Sequence, residues 1–202
     1  MNAAPEDKRE QLRAARRSQI LEAALRVFLD KGYHVTNVSD VAAEAGVSQG
    51  TIYWYFDSKD ELFNAAVSEF FADFGQEVLG AFEGVSSATQ KLQVLGEAMV
   101  GFTEQASGMF AMFVGYLASA QDRTEAASSW VDLLVGYKDA LVAIIDEGIA
   151  AGEFRSVDPE GLAWSILAAY DGLAAYYLLM PEIDTARVSR AFVDMVLAGV
   201  ER

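Results

Sequence analysis

Residues 33–63 read YHVTNVSD VAAEAGVSQG TIYWYFDSKD ELF, and this stretch decides how the rest of the chain is read. Asn37 stands where a helix cap belongs, and Asp40 follows three residues later, the spacing of a capping box. Val38, Val41, Ala42 and Ala45 then fall at i, i+3, i+4 and i+7, one face of a short helix. Gly46 suits a tight left-handed turn, because it has no Cβ to clash at positive φ. Ser48 is placed to cap a second short helix. There Ile52 and Phe56 lie four apart and point inward. At about 100° per residue, Gly50, Thr51 and Trp54 point the opposite way, with Tyr53 and Tyr55 flanking them. Ser58 caps a further helix, and Glu61 completes a second capping box.

A short helix, a glycine turn and a second short helix make a helix-turn-helix unit. Such a unit lays its second helix in the major groove of duplex DNA, N-terminal residues leading. This second helix carries no charge, so its neighbours must supply the attraction for phosphate. Gln49 can pair bidentately with adenine, and Thr51 can meet a base edge or a thymine methyl. Small Gly50 and Thr51 let the backbone come close, so Gln49, Gly50, Thr51 and Trp54 are the expected readers of sequence, beside the capping Ser48. Lys59 opens the next helix, where free N–H groups already favour an anion. Tyr53, Tyr55 and Thr36 can donate hydroxyls to phosphate, and Arg13, Arg16 and Arg17 form a basic cluster at the start of the first helix. These contacts would position the protein without reading bases. The competing reading is a capped helix pair whose aromatic side chains simply fill a helical core.

Outward from this stretch, 202 residues at 52% hydrophobic content allow one large domain or two small ones with a well-packed core. Cysteine is absent, which excludes disulfides, thiolate zinc sites and cysteine nucleophiles. The single histidine, His34, excludes two-histidine metal sites and leaves acid–base catalysis without its usual residue. No catalytic residue, metal or cofactor is expected. The net charge of −15 repels nucleic acid as a whole, but it is unevenly spread. Residues 1–60 hold 8 basic and 9 acidic side chains; residues 61–202 hold 7 and 21. The two parts therefore have different tasks.

The spacing elsewhere predicts an all-α chain: a frayed arm over 1–15, a helix over 16–30 ended by Gly32, and a long helix through residue 82. Further helices are predicted over 88–105, 108–121, 124–151, 158–180 and 184–200. Asp158-Pro159 is a helix start with Pro at the first helical position. Residues 105–121 hold no charge, yet the run is shorter than the about 20 residues of a membrane span and includes Gln105, Ser107 and Gly108. It reads as a buried helix, with no membrane partner. Absence of cysteine and of a signal-peptide pattern points to the cytoplasm.

Residues 16–63 resemble the DNA-binding domain of the TetR/AcrR family of transcriptional regulators. The family pattern has a Thr before the second helix, then Ala-Gly-Val-Ser-x-Gly-Thr-Leu-Tyr-x-Tyr-Phe-x-x-Lys-Glu-x-Leu. Here Thr36 is followed by Ala45-Gly46-Val47-Ser48-Gln49-Gly50-Thr51-Ile52-Tyr53-Trp54-Tyr55-Phe56-Asp57-Ser58-Lys59-Asp60-Glu61-Leu62. Asn37 replaces a common second Thr, and Ile52 a common Leu. The resemblance implies an N-terminal helix-turn-helix domain over 1–60 and a helical effector-binding and dimerisation domain over 61–202. It implies a homodimer on double-stranded operator DNA, released by a small-molecule effector. A helical protein-binding adaptor, or an all-α enzyme with a vestigial helix-turn-helix, is the alternative.

Two apolar patterns fit that implied second domain. Val188, Phe192, Met195 and Gly199 make one stripe, and Trp164, Ala168, Gly172 and Ala175 make a small-residue surface on the preceding helix. Two such helices from each subunit would form a four-helix dimer interface; the alternative is that both stripes face their own core. Phe102, Met109, Phe110, Phe113, Tyr116, Trp130 and Tyr137 are the large, soft side chains of an adaptable apolar pocket, or of an ordinary core. Asp171 is the only charge between Glu160 and Glu182. Buried, it needs a partner: a hydroxyl, a backbone group, a dimer mate or a cationic ligand. A small hydrophobic or amphipathic effector, including a cationic one, is therefore expected.

Overall fold

The computed structural model describes residues 5–119 and 123–201. Among these, eight helices follow in chain order: α1 (Pro5–Lys31), α2 (Val38–Glu44), α3 (Gln49–Tyr55), α4 (Lys59–Ala81), α5 (Ala88–Ser119), α6 (Arg123–Ala151), α7 (Pro159–Leu179) and α8 (Thr185–Val200). One isolated antiparallel bridge pairs Phe154 with Glu201. Two ends differ from the sequence expectation. The arm over 1–15 is not frayed where it is described, because Pro5 suits a first helical position and the Glu, Lys, Arg and Ala that follow are good helix formers. Residues 88–119 form one helix rather than two. Ser107 turns its hydroxyl back on the Glu104 carbonyl at 2.8 Å and Thr103 on Met99 at 2.6 Å, so their polar groups are satisfied without a break.

The chain divides into two compact units between Phe71 and Ala72, inside α4, and not at residue 60. The reason is packing. Leu62, Phe63, Ala66 and Val67 of α4 are buried with Ile20, Leu21 and Phe28 of α1, Val41 of α2 and Ile52 of α3. Phe63 meets Phe28 edge-on, with ring centroids 5.2 Å apart.

In the second unit α5 packs against α6, α7 and α8, and α6 against α7. Leu92, Leu141, Ile145, Phe154, Ile166, Tyr170, Leu197 and Val200 form its core. A hydroxyl chain crosses it: Tyr170 and Ser189 are 2.9 Å apart, and Ser189 donates to the Gly96 carbonyl at 2.9 Å. Among the described residues α7, not the uncharged run of α5, is the helix long and apolar enough to cross a membrane. Its Ala163, Ile166, Tyr170, Leu173 and Ala174 are instead buried within the unit.

Candidate functional site

The turn between α2 and α3 is built by local chemistry. Asn37 N–H donates to the Asp40 carboxylate at 2.9 Å, and Lys31 pairs with the same carboxylate at 3.0 Å. The backbone hydrogen bond from Asn37 comes first, and the Lys31 contact next, in holding Asp40 below the usual carboxylate range. Gly46 takes φ +64° in the turn. Ser48 Oγ accepts the Thr51 N–H at 3.1 Å and lies 2.8 Å from Thr51 Oγ1, so these two hydroxyls fasten the start of α3. Ile52 and Phe56 are buried, as their spacing requires. Gln49 and Gly50 are exposed, Thr51 and Tyr55 half-buried. Tyr53 and Trp54 stand 50% and 59% exposed, far more than core aromatics would be. A Cβ at Gly50 would meet only Ser48 Oγ at 3.8 Å, so the face of α3 is open above it.

At the start of α4 the second capping box is displaced by one residue. Ser58 Oγ accepts the Glu61 N–H at 3.0 Å, while the Glu61 carboxylate reaches past Ser58 to the Asp57 N–H at 2.6 Å. Lys59 has an internal role that spacing did not reveal. Its ammonium donates to the Tyr33 carbonyl at 3.0 Å and the Thr36 carbonyl at 3.1 Å, and lies 4.2 Å from the Tyr33 ring centroid. Two of its three donors thus hold the turn between α1 and α2, leaving one for a phosphate. Tyr33 in turn donates its hydroxyl to Asp60. Thr36 departs from the expectation of a phosphate-facing hydroxyl. It is 1% exposed and donates to the Gly32 carbonyl at 2.8 Å, because the turn folds its side chain under α1.

The basic cluster separates in three. Arg17 pairs with Glu69 at 3.2 Å, Arg16 donates to Gln19 Oε1 at 2.9 Å, and Arg13 lies over the Trp54 ring, 4.6 Å from its centroid. Gln19 then donates to the Ala45 carbonyl at 2.8 Å, tying α1 to the turn that carries α3. Sequence reasoning missed Gln19 and Tyr33, whose partners lie 26 and 27 residues away.

In the second unit the expected aromatic and methionine effector residues lie on α5 and α6. Phe113 stacks on Trp130 with centroids 3.8 Å apart and planes 9° off parallel. Phe102 stacks at 3.8 Å on Phe74 of α4, a residue that the sequence reading passed over although it belongs to an apolar run. Met109, Phe113 and Tyr116 are buried, and Phe110 is half-buried. Burial pushes the Tyr137 phenol up to about 12, so it stays neutral at ordinary pH. Its hydroxyl lies 3.9 Å from where a Cβ at Gly75 of α4 would sit.

Asp171 is not among these aromatics. It is exposed on α7 together with Trp164 and Ala168, at i, i+4 and i+7, with Ala175 half-buried one turn further. Apolar neighbours still desolvate the carboxyl enough to push its pKa upward; the solvent exposure nonetheless means that no internal partner is required. Gly172 is half-buried beside it. On α8, Val188, Met195 and Gly199 are exposed, whereas Phe192 turns inward and meets Tyr170 edge-on at 5.7 Å.

Residues 20–66 match the family described as bacterial regulatory proteins, tetR family, and residues 85–200 match the family described as tetracyclin repressor-like, C-terminal domain. The chain is 26% identical over 184 residues to the fatty acid metabolism regulator protein of Bacillus subtilis, covering 90% of this chain and 94% of that one. It is 25% identical over 202 residues to the HTH-type transcriptional repressor KstR2 of Mycolicibacterium smegmatis, covering 93% and 91%. Among solved structures, the transcriptional regulator FadR from Bacillus subtilis in complex with stearoyl-CoA is similar with a TM-score of 0.78 at 25% identity, covering 91% of this chain and 99% of that chain.

Proposed function

Because the chain belongs to the TetR family of bacterial regulatory proteins, we propose that it is a homodimeric repressor, released from its operator when a small hydrophobic or amphipathic molecule binds the second unit. It is a ligand-responsive transcriptional regulator and not an enzyme. The observation that carries the DNA-binding part is the outward face of α3. Gln49 and Gly50 are exposed at the leading end of a helix whose start is fastened by Ser48 and Thr51. A side chain that reads bases must be free of its own core yet rigidly held, and this helix meets both demands.

For the effector, the stacked aromatics of α5 and α6 and the phenol of Tyr137 supply an apolar lining with a neutral polar group. The Bacillus subtilis FadR structure contains stearoyl-CoA. A long-chain acyl thioester is therefore the first effector to test. A cationic effector loses its motive, because Asp171 lies on the outer face of α7. That outer face, with Val188 and Met195 of α8, is the proposed dimer surface. Twofold symmetry would then set two reading helices about 34–36 Å apart, one turn of the duplex.

Release follows from linkage. Helix α4 is continuous from Lys59 to Ala81, and Phe74 in its later half stacks on Phe102. A ligand that binds better when Phe102 is displaced favours a different position of α4. Affinity for operator then falls by the coupling free energy, about 1–3 kcal/mol, or about 5–150-fold.

The test is a gel shift of the full chain in the cytoplasmic salt range on the DNA upstream of its own gene, with a scrambled duplex as competitor. Stearoyl-CoA is expected to displace the selective complex, and coenzyme A alone to leave it intact. A complex that survives saturating stearoyl-CoA rejects the acyl effector. Absence of any selective complex rejects autoregulation through α3.

A further inference from the structure

The first unit carries an open groove between α1 and α3, lined on one side by Leu12, Arg13 and Arg16 and on the other by Gly50, Thr51 and Trp54. The chain has a net charge of −15, yet the charged residues lining this groove are both arginines. Two arginines further along α1 are paired: Arg17 with Glu69, and Arg26 with Glu22 and Glu44. Among the described residues no carboxylate forms an ion pair with Arg13 or Arg16. A cation placed over a ring is held by the face of the ring, which consumes none of the guanidinium N–H donors. Arg13 over Trp54 is therefore both placed and unspent. The opposite wall moves with it, since Arg16 is bonded to Gln19 and Gln19 to the turn before α3.

Trp54 sits near the C-terminal end of α3. In a helix whose N-terminal residues lead into the groove, a position one turn further back lies farther from the base edges and nearer the backbone strand.

We propose that the groove between α1 and α3 seats one sugar–phosphate strand of the duplex, with Arg13 contacting a phosphate and Trp54 serving as the platform that positions it. Trp54 is then not a reader of sequence, and the exposed part of α1 is a second DNA-docking element. This inference rests on the DNA-binding reading above.

The experiment measures fluorescence anisotropy of the full chain on two labelled duplexes, the upstream DNA and a mixed-sequence control, over a series of salt concentrations. Arg13→Ala is expected to weaken both by about tenfold, one charge-assisted hydrogen bond. It should also flatten the slope of log affinity against log salt by about 0.9. Trp54→Ala should lose a similar factor, the double variant little more than either single one, and Trp54→Phe should keep most of the binding. Both side chains are exposed, so every variant should melt with the parent. An unchanged salt slope in Arg13→Ala overturns the phosphate contact. Losses that multiply in the double variant overturn the role of Trp54. Failure of the unsubstituted chain to bind either duplex counts instead against the DNA-binding reading itself.

Discussion

A methyl group is the smallest probe of how closely two parts of this chain meet. At Gly148 of α6 an added Cβ would lie 2.2 Å and 2.3 Å from two ring carbons of Phe154 and 2.9 Å from the Ala88 Cβ. Phe154 is fully buried and cannot retreat. Gly148→Ala should therefore cost about 1–3 kcal/mol, seen as a lower urea midpoint at unchanged m-value. Gly50→Ala meets only Ser48 Oγ, at an ordinary 3.8 Å, and replaces a poor helix former. Its urea midpoint should hold or rise while its DNA affinity falls, which separates a glycine kept for packing from one kept for approach to DNA. Lys59 combines both roles. Lys59→Ala removes the bonds to the Tyr33 and Thr36 carbonyls as well as one phosphate donor. The expected result is a lower melting temperature together with equal weakening on specific and scrambled duplexes. A variant that melts like the parent would show that the clamp on the turn contributes nothing.

At the scale of elements, α5 is capped by a side chain from far along the chain. The Glu153 carboxylate accepts from Ser87 Oγ at 2.6 Å, from the Thr89 N–H at 3.0 Å and from the Ala88 N–H at 3.2 Å. The Ser87 hydroxyl, then the Thr89 N–H, holds its pKa at about 2, against an ordinary 4.5. A carboxyl with a depressed folded pKa stabilises the fold above its unfolded pKa, and loses that contribution as pH falls through the folded one. Glu153→Gln should thus melt below the parent at neutral pH, and the gap should close between about pH 4.5 and 2. Thermal scans by circular dichroism across that window decide it; a gap independent of pH would mean that the charge is not what caps α5. The cap was not legible in sequence, because Glu153 lies 64 to 66 residues from the groups that it accepts. The turn from α2 to α3 was legible because each of its devices, Asn37 with Asp40, Gly46, and Ser48 with Thr51, acts within four residues. Helix α7 was legible as a helix but not in its orientation. It is apolar nearly all round, so periodicity could not say whether Asp171 faced a pocket or the solvent.

The whole molecule couples a nearly neutral DNA-facing part to a strongly acidic remainder, a division visible in the charge of residues 1–60 against 61–202. Such a remainder is repelled by DNA, so the first unit must supply the attraction, and the proposed pairing of two copies would add to it. The outward faces of α7 and α8 are where this pairing is expected. Trp164 is 40% exposed and Met195 64% exposed in the single chain, more apolar surface than a helix turned to water usually carries. Neither fills the core, so Met195→Glu and Trp164→Glu should leave each unit folded and the melting of the first unit unchanged. Each should instead place a carboxylate in the dimer surface, where a charge without a partner is costly. Sedimentation at micromolar concentration is expected to give a dimer for the parent and a monomer for the double variant. Operator affinity should fall with it by about 10²–10⁴, the gain that linking two heads confers, while affinity of a single head for mixed-sequence DNA stays level. A double variant that still sediments as a dimer would move the interface away from α7 and α8, and one that is monomeric yet binds operator as tightly as the parent would remove the need for two heads.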